Sequence, residues 1–166
     1  MDLDRLNDLP EDEALTVFAE CCASEEWARR MAEQRPYPDV ESLCRTASEV
    51  WWDLDAPDWL QAFSAHPRIG ERRQGDDRHS AWSRREQAGA DDASAEIRTE
   101  LERLNREYEE RFGRVYLVFA SGKSAEEMLR LCRERLANDP EEELRIAAAE
   151  QEKITDLRIR RLLGIG

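Results

Sequence analysis

Lysine is nearly missing from this chain: of its 25 basic residues only Lys123 and Lys153 are lysines, which leaves 23 arginines among 166 residues. Almost every positive charge is a planar guanidinium able to grip a carboxylate at two points, although codon usage alone also gives such a bias. Histidine is as scarce, with His66 and His79 only, and the four cysteines, Cys21, Cys22, Cys44 and Cys132, never fall at CxxC spacing. A structural zinc framework is thereby excluded, and the thiols are expected to be reduced and mostly buried. The N-terminal MDLDRLNDLPEDEA lacks the basic start and apolar run of a secretory signal, and no apolar stretch approaches a membrane span. The terminal LLGIG is not a peroxisomal address, so a cytoplasmic protein is expected. Internal repeats and low-complexity tracts are missing too.

What is abundant is acid. Asp and Glu number 38 against the 25 basic residues, giving a formal charge of −13 and a pI near 4.7. Such a field repels phosphate backbones and anionic lipid, which argues against nucleic-acid and membrane partners. Acid excess with so little lysine also fits a salt-tolerant or high-GC host. The hydrophobic set makes up 40% of the chain, enough for a core, and 166 residues suit a single domain spanning 1–166.

Apolar residues recur at helical spacing nearly throughout. Asn7 or Asp8 is expected to open a helix with Pro10 and three acids in its first turn and Leu15, Phe18 and Ala19 inward. Ser24 caps a second, carrying Trp27, Ala28 and Met31, which must stop before Pro36. Asp39 to Leu54 reads as a third helix and Asp58 to Ala65 as a fourth, running into His66 and Pro67. ERRQGDDRHS, Glu71 to Ser80, has no apolar residue and reads as a surface loop with a solvated His79. Helix resumes at Ala81 to Ala88 and again from about Asp92 to Phe112, where Gly113 stops it. Val115 to Ala120 is β-branched and aromatic but has no partner strand, so it is expected to be a buried extended stretch or a short helix. Ser124 and Glu127 form a capping box for a helix to about Asn138, and Asp139, Pro140 and three glutamates open the last one. The fold class is therefore all-α, a bundle of about seven or eight helices.

Four constellations could carry chemistry. His66 stands where Pro67 ends a helix, so the negative end of the helix dipole favours its imidazolium; it either caps carbonyls there or exchanges protons. In SRREQ, Ser83 lies one helical turn from Glu86 and Gln87, which gathers a hydroxyl, a carboxylate and an amide on one side, or merely forms a solvated face. AxGKS, Ala120 to Ser124, is not a phosphate loop, since the required glycine is Leu117, but the helix start beside Gly122 offers amide hydrogens to an anion or carbonyl. Arg158 falls on the inward stripe of the last helix and needs a carboxylate, from a protein side chain or from a ligand.

HPRIGE at His66 to Glu71, SRREQAG at Ser83 to Gly89, LNxxYExRFG at Leu104 to Gly113, FAxGKS at Phe119 to Ser124 and EQxKITDLRIRRL at Glu150 to Leu162 together resemble the 2-oxo-4-hydroxy-4-carboxy-5-ureidoimidazoline (OHCU) decarboxylase family of urate breakdown. CCASxxWAxxMAxxRPYPD, Cys21 to Asp39, is similar too. The resemblance implies an all-helical homodimer without metal or organic cofactor, acting on a small ureidoimidazoline to give S-allantoin. It maps the catalytic pair onto His66 and Glu86, and substrate contacts onto Pro67, Ser83, Gln87, Arg158 and the backbone from Phe119 through Ala120 to Gly122. A non-catalytic ureide-binding module, or another cofactor-free enzyme acting on a related imidazolone, are the competing readings.

Overall fold

Side-chain caps decide where most of the helices begin. In α1 (Leu3–Asp8), Asp2 accepts the Arg5 amide at 2.9 Å; after α2 (Glu11–Cys21), Ser24 caps α3 (Glu25–Glu33) through the Trp27 amide at 3.2 Å, and Asp39 caps α4 (Val40–Asp53) through Ser42 at 2.7 Å. Then come α5 (Ala56–Ser64) and α6 (Arg78–Glu86). Helix α7 (Ala95–Phe112) starts at Ser94 and ends at Gly113, whose φ of 72° is left-handed; α8 (Ala125–Arg135) starts at Ser124, and α9 (Pro140–Leu162) closes the series. Each polar cap is worth about 1 kcal/mol. The computed structural model describes residues 1–70, 78–88 and 94–166, and among these there are nine helices and no strand. The all-α expectation holds, with a count slightly above seven or eight.

Two boundaries differ from expectation. The N-terminal stretch contains a separate helix, α1, and Asn7 is no cap: its amide pairs with the Tyr37 backbone in both directions, each bond 2.9 Å, so it bridges distant segments. Helix α6 starts at Arg78 rather than Ala81, so His79 and Ser80 belong to it; the rest of the expected loop, 71–77, and residues 89–93, with Gly89 and Asp92, lie outside the described residues.

The described chain groups into two compact units, Met1–Ala62 with Glu152–Gly166, and Phe63–Gln151. In the first, α3 packs against α2 and α4. Phe18 meets Trp27 edge-on, ring centroids 6.0 Å apart, and the Trp27 indole donates to the Ala47 carbonyl at 3.0 Å. Glu152, in the C-terminal part of α9, accepts from Ser48 and from the Trp52 indole.

In the second unit α7 and α8 pack around Leu101, Leu104, Tyr108, Tyr116, Val118, Met128 and Cys132. Val115 to Ala120 is neither helix nor strand, which removes the short-helix alternative, and residues 116, 117, 118 and 120 are each at most 5% exposed. Lacking a partner strand, it satisfies its backbone through side chains. Arg135 donates to the Leu117 carbonyl at 2.6 Å, and the Phe119 amide donates to Glu150 at 3.3 Å. Arg135 is itself buried and donates to Glu143 at 2.7 Å; Glu143 also accepts from Tyr108 at 2.6 Å and Asn138 at 3.1 Å. Glu143 is one of the three glutamates in the first turn of α9, as expected, but it is fully buried because its carboxylate answers Arg135. All four cysteines are free, three of them buried, and burial pushes the Cys22 thiol up to about 11. No helix among the described residues is long and apolar enough to cross a membrane.

Candidate active site

The centre of the second unit's chemistry is the short loop that leaves α5. The His66 amide donates back to the Phe63 carbonyl at 3.2 Å, closing the last turn, and Pro67 prevents another. His66 and Pro67 are half-buried, and the His66 Nε2 lies 2.6 Å from Gln151 Oε1. Beyond Arg68, which faces solvent and pairs with Glu109, the Ile69 carbonyl accepts from Asn105 at 3.1 Å. Gly70, at φ 89°, takes a left-handed turn that a Cβ would strain, and donates its amide to Gln87 Oε1 at 3.1 Å. Three carboxamides, from α7, α9 and the end of α6, thus pin the loop 66–70.

Helix α6 turns the SRREQ side chains as the spacing required. Ser83 and Glu86 are buried, Arg84 and Gln87 are half-buried and Arg85 is exposed. Gln87 spends its carbonyl oxygen on Gly70, so the half of it that offers recognition is the NH2 group, a donor for carbonyl or carboxylate oxygens. This contact joins the SRREQ and HPRIG motifs directly.

The backbone expected to touch substrate is partly committed to its own turn. The Phe119 carbonyl accepts from Lys123 Nζ at 2.7 Å, whose ammonium also stands 5.1 Å from the Phe119 ring, and the Ala120 carbonyl accepts the Lys123 amide at 3.0 Å. Ala120 is buried; Gly122 is exposed, at φ 77°, just before the α8 N-terminus. Arg158 belongs to the first unit. It is fully buried, as the inward stripe required, and its charge bears on the Cys22 thiol, which also meets Thr155. Among the described residues no group of three or more His, Cys, Asp or Glu side chains could hold a metal.

Sequence reasoning missed Asn105, Glu150 and the tie from Gln151 to His66. The available signal was a polar residue on an otherwise apolar helical stripe, which burial tolerates only when a partner exists.

A chain of nine described helices in which Gln87 ties the histidine loop 66–70 to the helix that buries Ser83 and Glu86 is, by fold, an all-α protein with a built polar site. Its sequence matches the model of the OHCU decarboxylase family over residues 7–160, and the chain belongs to that family. It is 38% identical over 149 residues, 87% of its length, to the uric acid degradation bifunctional protein TTL of Arabidopsis thaliana, and 31% identical over 99% of its length to the 2-oxo-4-hydroxy-4-carboxy-5-ureidoimidazoline decarboxylase of Mus musculus. It spans 45% of the Arabidopsis protein and 94% of the mouse one. A crystal structure of OHCU decarboxylase in the presence of (S)-allantoin superposes with a TM-score of 0.78 at 37% identity, covering 89% of this chain and 96% of that one.

Proposed function

We propose that this chain is a carboxy-lyase that converts OHCU to S-allantoin in urate breakdown, acting as one functional domain over 1–166, without metal or organic cofactor, in a cytoplasmic homodimer. The observation that carries the reading is the loop 66–70 tied through Gln87 to the buried Ser83–Glu86 face of α6, in a chain of this family.

The chemistry asks for little more. When the bond to the carboxylate carbon breaks and CO2 leaves, its electron pair passes into the neighbouring carbon–nitrogen system, whose nitrogen takes a proton. The resulting enol loses its hydroxyl proton, and the adjacent carbon receives one from a single face. An acid and a base suffice, and His66 and Glu86 are that pair. The Gln87 NH2 and the Ser83 hydroxyl read carbonyl oxygens of the ring and ureido group, Pro67 and the turn from Phe119 through Ala120 to Gly122 shape the remainder, and Arg158 holds the anionic group that an acidic protein would otherwise repel.

The test generates the unstable substrate in place from urate with urate oxidase and hydroxyisourate hydrolase, then adds this protein and follows circular dichroism. Optically active allantoin is the expected outcome. Racemic product at the spontaneous rate would leave a ureide-binding module as the better reading.

A further inference from the structure

His66 does not choose its own proton arrangement. Its Nε2 is 2.6 Å from the Oε1 of Gln151, and a carboxamide oxygen has no hydrogen to give. At that distance the hydrogen lies on Nε2, so in the neutral ring the lone pair resides on Nδ1. Gln151 cannot turn away to water: it is 0% exposed, inside the 23-residue helix α9, with Ala147, Ala148, Ile154 and Thr155 buried around it in sequence. Its neighbour Glu150 holds the Phe119 amide, so consecutive residues of α9 reach the histidine loop and the 119–122 turn. The backbone of the loop is fixed independently by Phe63, Asn105 and Gln87.

We propose that Gln151 is the positioning residue for His66: its Oε1 holds Nε2–H, fixes the ring plane and makes Nδ1 the nitrogen that exchanges a proton during decarboxylation. This rests on the reading of His66 as a proton-transfer group. The choice of an amide matters. A carboxylate in the same place would bind the same N–H but stabilise the imidazolium by its charge, raising the histidine pKa and withholding the neutral ring at working pH. A neutral acceptor orients the imidazole without adding a charge that favours its protonated form.

The experiment combines imidazole 15N NMR of the substrate-free protein with kcat and KM profiles against pH, for wild type, Gln151→Glu and Gln151→Leu. Only one other histidine exists, so His79→Gln assigns the signals. Wild type is expected to carry the hydrogen of neutral His66 on Nε2, as a proton protected from solvent exchange. Gln151→Glu should move the His66 titration to higher pH and carry the corresponding limb of the kcat profile with it. Gln151→Leu should lose the protected proton and lower kcat roughly tenfold or more, with KM within about twofold. A neutral ring protonated on Nδ1 in wild type, or a Gln151→Glu titration that stays where it was, overturns the proposal. The wild-type spectrum needs no variant to fold. Failure of the decarboxylase reading would show separately, as wild-type protein that makes no optically active allantoin while the Nε2 proton remains in place.

Discussion

Glu143 and Gln151 stand eight residues apart on α9, and each anchors a polar cluster of the second unit. Around Glu143 the cluster is ionic and dry: Arg135 and Tyr108 point at one carboxylate oxygen and Asn138 at the other, and the Arg135 guanidinium lies 5.0 Å from the Tyr116 ring. Around Gln151 uncharged groups hold a loop: Gln151 reaches the His66 ring, Asn105 the Ile69 carbonyl and Gln87 the Gly70 amide. The ionic cluster spends its capacity inward and fixes the fold. A carboxamide has two ends, so Gln87 can hold Gly70 with its oxygen and still offer its NH2 to a ligand. Burial therefore does not by itself separate a polar group that only holds the fold from one that can also meet a ligand.

Removing His66 should have the largest effect and divide the clusters most sharply. His66→Ala is expected to lower kcat by about 10²–10⁴-fold, the usual worth of positioned acid–base catalysis, while allantoin forms only at the spontaneous rate and as a racemate. Its urea midpoint should stay close to wild type, because a half-buried side chain adds less to stability than a core one. S-allantoin at the wild-type rate would remove His66 from the mechanism.

Glu143→Ala should act the other way round. It leaves the Arg135 guanidinium, 6% exposed, without its carboxylate, and breaking such a buried pair from one side costs about 3–5 kcal/mol. Equilibrium urea unfolding reads this directly. Folded Glu143→Ala protein, measured well below its midpoint, should keep the wild-type KM. A stability unchanged by the substitution would mean that the ionic cluster does not hold the 115–120 segment as described.

Much of this was legible in one dimension, and what was not has a common cause. Caps at Ser24 and Ser124, the helix from about Asp39, the stop at Gly113, the inward turn of Arg158 and the shared face of Ser83, Glu86 and Gln87 are local patterns within one or two helical turns, and the structure keeps them. What a local pattern lacks is partners far along the chain. Asn7 opens no helix because its amide answers Tyr37, 30 residues away, and Glu143, in the first turn of α9 as expected, is also held by Tyr108, 35 residues back. The bond from His66 to Gln151 spans 85 residues, beyond any periodicity. Family resemblance named His66 and Glu86, but not the amides that hold the loop in place.

The surface supplies the weak end of the same comparison. Arg103 reaches Glu100 and Glu107 along α7, and Glu100 also meets Arg133 of α8, so by geometry alone this is a network like that of Arg135. The two guanidinium donors hold the Glu100 carboxyl down at about 2. A carboxyl depressed in the folded state contributes above its ordinary pKa of 4.5, and that contribution fades as pH falls toward 2. Yet the Arg103 side chain is 49% exposed and that of Glu107 45%, and water and salt screen charges so placed. Arg103→Ala is accordingly expected to leave the melting temperature unchanged at physiological ionic strength, with a small loss appearing only at low salt and disappearing as the pH drops through the carboxylate range. A loss at neutral pH and high salt comparable to that of Glu143→Ala would show that the arginine-rich surface, and not only the buried pair, stabilises this fold.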